Sequence, residues 1–360
     1  MMNPAALPAQ DRLLAERGAA QLLSGPPART AEAVAGRLLA IQGQDPRGAR
    51  LAIRARSTGL TAADVDRALT VDRTLVVGWL NRGTLHLARS VDYWLLHQLT
   101  TPPLHAVCAR RLAQEGIQPA QADRGAAVIE RALTDDGPLT RAQLGGRLSA
   151  AGLPTAGQAL VYLLYLAGLR GISVRGPVAG REQAYVLARD WVGAPAALDR
   201  DAALGWLARR YLAGHGPATE RDLAKWSGLP LRDIRRGLAS VAAGLAERHD
   251  GLISLDADGR AGGGAPAELP PARLLGAFDP LLHGWQSRAA VLGRHERVIV
   301  QGGMFRPFAM VRGRAVGTWG LPGGQVVLTE LDDLTAVDRA ALASDAADVT
   351  RFLGLPQPAG

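Results

Sequence analysis

Two glutamines flanking a single glycine, Gln42-Gly43-Gln44, run straight into Asp45-Pro46-Arg47, and this is the one polar cluster in the chain compact enough to suggest chemistry. Each amide carries donors and an acceptor and is costly to bury without partners. Spacing alone favours a plain reading, a solvated helix end with Asp45 as N-cap of the next segment. Other chemistries lack their residues. The seven histidines show no HExxH or similar compact spacing, and Cys108 is alone, which argues against a metal site. No Gly-x-Gly-x-x-Gly or Walker loop follows a strand, and no Gly-x-Ser-x-Gly elbow occurs. Gly262-Gly263-Gly264 reads as a hinge, and Lys225 is the single lysine. Neither cofactor nor metal is expected.

At 360 residues, with 48% hydrophobic and 21% charged residues, the chain has the composition of an ordinary globular protein of two or three domains. It has no apolar run long enough for a membrane span, and Asp11, Arg12, Glu16 and Arg17 interrupt its start. A cytoplasmic, nucleoid-associated protein is expected. The formal net charge of +8 is carried almost wholly by arginine and favours a polyanionic partner. Guanidinium forks grip phosphates and base edges in pairs of hydrogen bonds, so nucleic acid is preferred over an acidic protein.

The elements that must position the glutamines follow from periodicity and caps. Helices are predicted over Gln10–Ser24, from Ala31 (capped by Thr30) to Ile41, over Arg50–Arg56, and after Thr61, whose spacing to Asp64 suits a capping box. Leu75–Leu80 and Thr84–Ala88 flank Asn81-Arg82-Gly83 as a hairpin. Three helices and a hairpin is the order of a winged helix. The order recurs with helices Leu104–Glu115, Ala126–Leu133, Thr140–Leu148 and Gln158–Ala167, then a hairpin from Ile172 to Leu187. It recurs again with Ala202–Leu212, Thr219–Trp226, Leu231–Val241 and a hairpin Leu245–Leu255. Gly-Pro-x-Thr at 137–140 and 216–219, each with a leucine four residues beyond the threonine, marks the repeat; Pro26–Thr30 reads as a degenerate copy.

The predicted fold is α+β and mostly α: three tandem winged-helix units over 1–100, 101–195 and 196–258. A linker (Asp256–Pro271) and a small antiparallel β unit with a final helix (Leu334–Leu353) fill 259–360. The β unit draws on Arg297–Val300, Phe308–Val311, Arg314–Trp319 and Gln325–Leu328. Winged helices touch DNA with hairpin tips and second helices. The candidate contacts are accordingly Arg47, Arg50, Arg54 and Arg56 after the glutamines, Arg82 on the first hairpin tip, Arg232, Arg235 and Arg236, and Arg306, Arg312 and Arg314. Taken singly, each is more simply read as a solvated surface arginine.

Ile41-Gln42-Gly43-Gln44-Asp45-Pro46-Arg47, Gly78-Trp79-Leu80-Asn81-Arg82-Gly83-Thr84-Leu85-His86-Leu87 and Asp92-Tyr93-Trp94 resemble motifs of the AlkZ-like winged-helix DNA-binding family. Leu274–Leu282, Met304-Phe305-Arg306-Pro307 and Val316-Gly317-Thr318-Trp319 match it near the other end, so the resemblance spans nearly the whole chain. It implies a C-shaped DNA-binding scaffold acting as a monomer. It also implies a DNA glycosylase that releases alkylated purines and unhooks interstrand crosslinks, as in self-resistance of azinomycin-type producers. The partner would be double-stranded DNA bearing alkyl adducts or crosslinks. The family's Gln-x-Gln signature falls on Gln42 and Gln44 as catalytic residues, whereas another branch has Gln-x-Asp. Gly43 departs from the usual Ala or aliphatic middle residue.

An N7-alkylated guanine is already charged and leaves readily, so the barrier lies in the oxocarbenium-like sugar and the arrival of water. Two amide carbonyls can orient that water but are weak bases, which implies late proton transfer, with Asp45 as a candidate support. A Schiff-base lyase needs an amine, and Lys225 lies far along the chain, so hydrolysis without lyase activity is implied. Two other readings remain open at this point: a non-enzymatic winged-helix regulator, and a protein that sequesters a DNA-reactive drug.

Overall fold

Threonine caps punctuate this chain, and each does what its spacing requires. In the computed structural model, which describes residues 7–179, 182–256 and 268–356, Thr30 Oγ1 accepts from Ala33 N at 3.1 Å. Thr61/Asp64, Thr140/Gln143, Thr219/Asp222 and Thr335/Asp338 exchange bonds in both directions. The first helices are α1 (Ala9–Ala20), α2 (Ala31–Leu38), α3 (Pro46–Arg54) and α4 (Ala62–Thr70), with the two-residue strand β1 (Ile41–Gln42) between α2 and α3. The prediction that α2 reaches Ile41 is corrected, because the helix ends three residues earlier.

The next stretch holds β2 (Leu75–Trp79), β3 (Leu85–Arg89), α5 (Ser90–Thr100), α6 (Leu104–Gln114), α7 (Pro119–Asp136), α8 (Arg141–Ala150), α9 (Ala159–Leu169), β4 (Ser173–Ala179), β5 (Glu182–Leu187) and α10 (Ala188–Val192). The two predicted hairpins are not separate wings. They join through Val77 opposite Arg175 into one antiparallel sheet in the order β3-β2-β4-β5. The hairpin tip 81–83 is packed rather than projecting. Asn81 is fully buried, Trp79 meets Tyr165 edge-on at 4.8 Å, and a Cβ on Gly83 would lie 2.5 Å from the Tyr165 hydroxyl. The large aromatics on β2 and α9 hold the tip down, so Arg82, expected as a DNA contact on that tip, is half-buried next to Gly228.

The remainder comprises α11 (Arg200–His215), α12 (Glu220–Ser227), α13 (Leu231–Ser240), β6 (Leu245–Glu247), β7 (Ile253–Leu255), β8 (Arg273–Leu275), α14 (Ala289–Leu292), α15 (Glu296–Ile299), β9 (Val300–Gln301), β10 (Met304–Phe305), β11 (Phe308–Val311), β12 (Arg314–Gly320), β13 (Val327–Glu330) and α16 (Ala336–Leu353). The terminal sheet runs β13-β12-β11-β8 and is antiparallel throughout. Its fourth strand is Arg273–Leu275 and not the predicted Arg297–Val300, most of which is the helical turn α15; the apolar run Val298–Val300 is too short to be assigned by periodicity. Of the linker expected at Asp256–Pro271, residues 257–267 lie outside the described residues.

The Gly-Pro-x-Thr repeat has a structural counterpart. Leu139, one residue before its capping Thr140, bridges Tyr185 on β5 through bonds of 3.1 and 2.7 Å. Ala218, one residue before Thr219, bridges Ile253 on β7 at 3.0 and 2.8 Å. Leu144 and Leu223, four residues beyond each threonine, are buried. In the degenerate copy Ala28 pairs in parallel with Ser57 instead. Contacts divide the chain into a larger unit, residues 1–66, 204–226 and 230–360, and a smaller one, residues 67–203 and 227–229. This division does not follow chain order: the two hairpins share a sheet, and the N-terminal helices belong with the C-terminal half.

Each unit buries a neutral histidine. Burial pushes His86 in the smaller unit down to about 3, helped by the charge of Arg82, and burial pushes His215 in the larger unit down to about 3 against its bond to the Tyr211 carbonyl. Between roughly pH 6.5 and 3 the unfolded chain binds these protons and the native one does not. Stability is therefore complete above about pH 6.5 and falls with acidification, by about 1.4 kcal/mol per pH unit for each group. Calorimetric melting from pH 7.5 to 4 should show a falling Tm whose slope lessens in His215→Phe; parallel slopes in both proteins would contradict the assignment.

Candidate active site around Gln42 and Gln44

The glutamines emerge from a sharp reversal. Leu39 has φ 66 and ψ −46, and Ala40 N donates to Leu38 O at 2.8 Å, which is a γ-turn of the positive-φ kind that costs a non-glycine residue strain. What holds it is the packing of α2 on α11. Arg210 donates to Gly36 O at 2.6 Å and Arg37 to Ala213 O at 3.0 Å. A Cβ on Gly214 would sit 2.2 Å from the Arg37 carbonyl oxygen, so the two backbones touch. Leu39 itself is fully buried. The turn swings the chain out of the helix so that Gln42 lies on a strand, not on a helix end.

Gln42 is 7% exposed and Gln44 is exposed. Gln42 Nε2 donates to Gln44 Oε1 at 2.6 Å, so the two amides form one unit with a buried member and a solvent-facing member. Gly43 is buried, and its φ lies outside the left-handed region, so its backbone conformation does not require glycine. Asp45 is the N-cap read from spacing: its Oδ1 accepts from Gly48 N at 2.8 Å, with Pro46 at the first helical position. That oxygen is engaged in holding α3.

The sequence-predicted arginines separate into two groups. Arg54 is a correction: its side chain is 1% exposed, paired with Asp345 at 2.8 Å and donating to Leu274 O at 3.0 Å. Arg56 is fully buried with both forks on Asp279, at 2.9 and 2.7 Å, and a third bond to Gln21 at 2.8 Å. Neither can reach a phosphate. Arg50 is held by Asp66 and the Pro46 carbonyl. Arg47, Arg232, Arg236, Arg306 and Arg312 are exposed, with Arg232 at 84%, while Arg235 is exposed but forks onto Glu220. Sequence reasoning missed Leu39, for which a leucine gives no local sign, and Gly48, whose place inside a helix was the available signal for a close approach.

A basic chain that presents a coupled amide pair and exposed arginines on repeated helix–hairpin arrangements belongs with proteins that act on nucleic acid. The family model described as DNA glycosylase AlkZ-like matches residues 35–352, and this chain belongs to that family. It is 28% identical over 355 residues, 91% of each chain, to an interstrand DNA cross-link repair glycosylase of Streptomyces sahachiroi. Its fold matches the solved structure of the DNA glycosylase AlkZ from that organism with a TM-score of 0.77 at 25% identity, covering 98% of both chains. Among the described residues no helix is long and apolar enough to cross a membrane, and no cluster could hold a metal ion.

Arg54→Ala removes the buried charge partner of Asp345 and should cost about 3–5 kcal/mol in urea denaturation, leaving the salt dependence of DNA affinity unchanged. Arg232→Ala should leave stability within about 0.5 kcal/mol and reduce the salt slope by about one; the reverse pattern would return Arg54 to the DNA surface. Leu39→Val, similar in apolarity but β-branched at positive φ, should lose about 1–3 kcal/mol, and an unchanged urea midpoint would mean the turn stores no strain.

Proposed function

We propose that this chain is a monofunctional DNA glycosylase that hydrolyses the N-glycosidic bond of purines alkylated at N7, interstrand crosslinks included, in DNA repair or antibiotic self-resistance. The observation that carries the reading is the 2.6 Å bond between the Gln42 and Gln44 amides. It fixes the Gln44 carbonyl on the exposed side of a buried anchor, so that an acceptor is presented without an ionised group. A charged alkylpurine needs no protonation to leave. What remains is to hold water against the positive sugar, and fixed amide dipoles suit that task. Because an amide is not a base at neutral pH, the proton departs late, to solvent or to the free side of Asp45.

Hydrolysis without a lyase step is supported by amine usage: Lys225, the single lysine, donates to the Gln286 carbonyl at 2.7 Å. The inclusion of crosslinks rests on the name of the Streptomyces relative. We read the helix–bridge–helix–helix–hairpin repeats as winged-helix units, with α13 and its Arg232, Arg235 and Arg236 as a recognition helix on the phosphates, joined by Arg47, Arg306 and Arg312. Under this reading the protein binds duplex DNA as a monomer and uses no cofactor.

Incubated with duplex DNA bearing 7-methylguanine, the native protein should free the base and leave an intact abasic strand with no borohydride-trapped adduct. Absence of free base would overturn the reading, and a trapped adduct would overturn the monofunctional part. Gln44→Asp should keep activity while adding an acid limb. A carboxylate acts only when ionised, so its rate should fall as pH drops through about 4, a limb that the native pH profile lacks.

A further inference from the structure

The larger unit contains an element with no assigned role, the stretch Leu274–Asp279, more than 220 residues from the glutamines along the chain and in contact with α3 over its whole length. At the N-terminal end of α3, a Cβ on Gly48 would lie 2.2 Å from the Ala277 carbonyl oxygen, and a Cβ on Gly276 would lie 3.0 Å from Gly48 Cα and 3.0 Å from Leu51 Cβ. The two backbones meet where only glycines permit it. At the C-terminal end, Arg54 donates to the Leu274 carbonyl at 3.0 Å, while Asp345 receives both Arg54, at 2.8 Å, and Leu274 N, at 2.6 Å. Arg56, just beyond the helix, forks onto Asp279, and neither residue has any exposed side chain. Phe278, between the two contacts, is held at φ 57 in the left-handed region.

Helix α3 begins two residues after Gln44, and its N-cap is the residue between. A shift of the helix is therefore transmitted through Asp45 to the exposed glutamine, whose partner Gln42 is anchored separately by the α2–α11 contact. From this we infer that Gly48, Gly276 and the Arg56–Asp279 pair are positioning residues: they clamp α3 so that Gln44 stays in register with Gln42. The inference rests on the reading of Gln42 and Gln44 as the catalytic pair. Its physical basis is the sensitivity of catalysis to placement, since a displacement of about 1 Å at a reacting group costs about 100-fold in rate.

The test compares native protein, Gly48→Ala, Gly276→Ala and Gln42→Ala/Gln44→Ala. The measurements are single-turnover release of 7-methylguanine, Kd for the same duplex, and the side-chain amide resonances of Gln42 and Gln44 by NMR. Gly48→Ala should release base about 10- to 100-fold more slowly, with Kd held within about threefold and both glutamine amide resonances moved. Should Gly48→Ala fail to fold, Gly276→Ala, whose methyl requires a shift of only tenths of an ångström, is judged by the same criteria. Native-like release, unmoved amide resonances, or a rate loss matched by an equal loss of affinity would overturn the clamp. If the native protein releases no base, or the double glutamine variant releases it undiminished, the catalytic reading fails instead, and the amide resonances still report whether α3 is clamped.

Discussion

Two guanidinium groups taken out of water at the end of one helix are the constraint on which the larger unit depends. A buried arginine is tolerable only when its charge is paired and its terminal nitrogens are met, and removing a partner costs several kcal/mol. Arg56 is met by Asp279, Gln21 and the Ala52 carbonyl, and Arg54 by Asp345, Asp348 and the Leu274 carbonyl. Apart from the Ala52 carbonyl of α3 itself, these partners come from the residue that ends α1, from the stretch that begins the terminal sheet and from the last helix. The N-terminal helices and the C-terminal third must therefore fold against one another, which explains a unit built from distant parts of the chain. The geometry of the glutamines is inherited from that arrangement.

The amide pair has the anatomy of a preorganised polar group. One member is buried and fixed, the other is exposed and oriented by it, and no charge is needed at either position. Strain at Leu39 and a close backbone approach at Gly48 lie on either side of it within nine residues of one another. The first carries strain that a glycine would relieve, and the second tolerates no side chain, since a Cβ on Gly48 would lie 2.2 Å from the Ala277 carbonyl oxygen. Both lie beside the two glutamines that we propose as the catalytic pair.

Much of this was legible in the sequence wherever the cause was local. The threonine caps at positions 30, 61, 140 and 219 and the first hairpin were read correctly because a cap and a tight turn are decided within four residues. So was the capping role of Asp45. What was not legible depended on distance along the chain. Arg54 and Arg47 look alike in sequence, and only a carboxylate 291 residues away makes the first a buried strut. The early end of α2 has no signal, because a leucine is the last residue expected at φ 66. The shared sheet is likewise beyond local signals, because the two hairpins join through the register pair Val77 and Arg175, 98 residues apart.

The central claim is that Gln42 and Gln44 together hold the water that completes base release. The most direct measurement is the single-turnover rate of 7-methylguanine release by Gln42→Ala/Gln44→Ala beside its Kd for the same DNA. The account predicts a rate lowered by at least about 100-fold, the scale of losing a preorganised polar stabiliser, with affinity and melting temperature near native. Release at the native rate by a folded, DNA-bound double variant would contradict it.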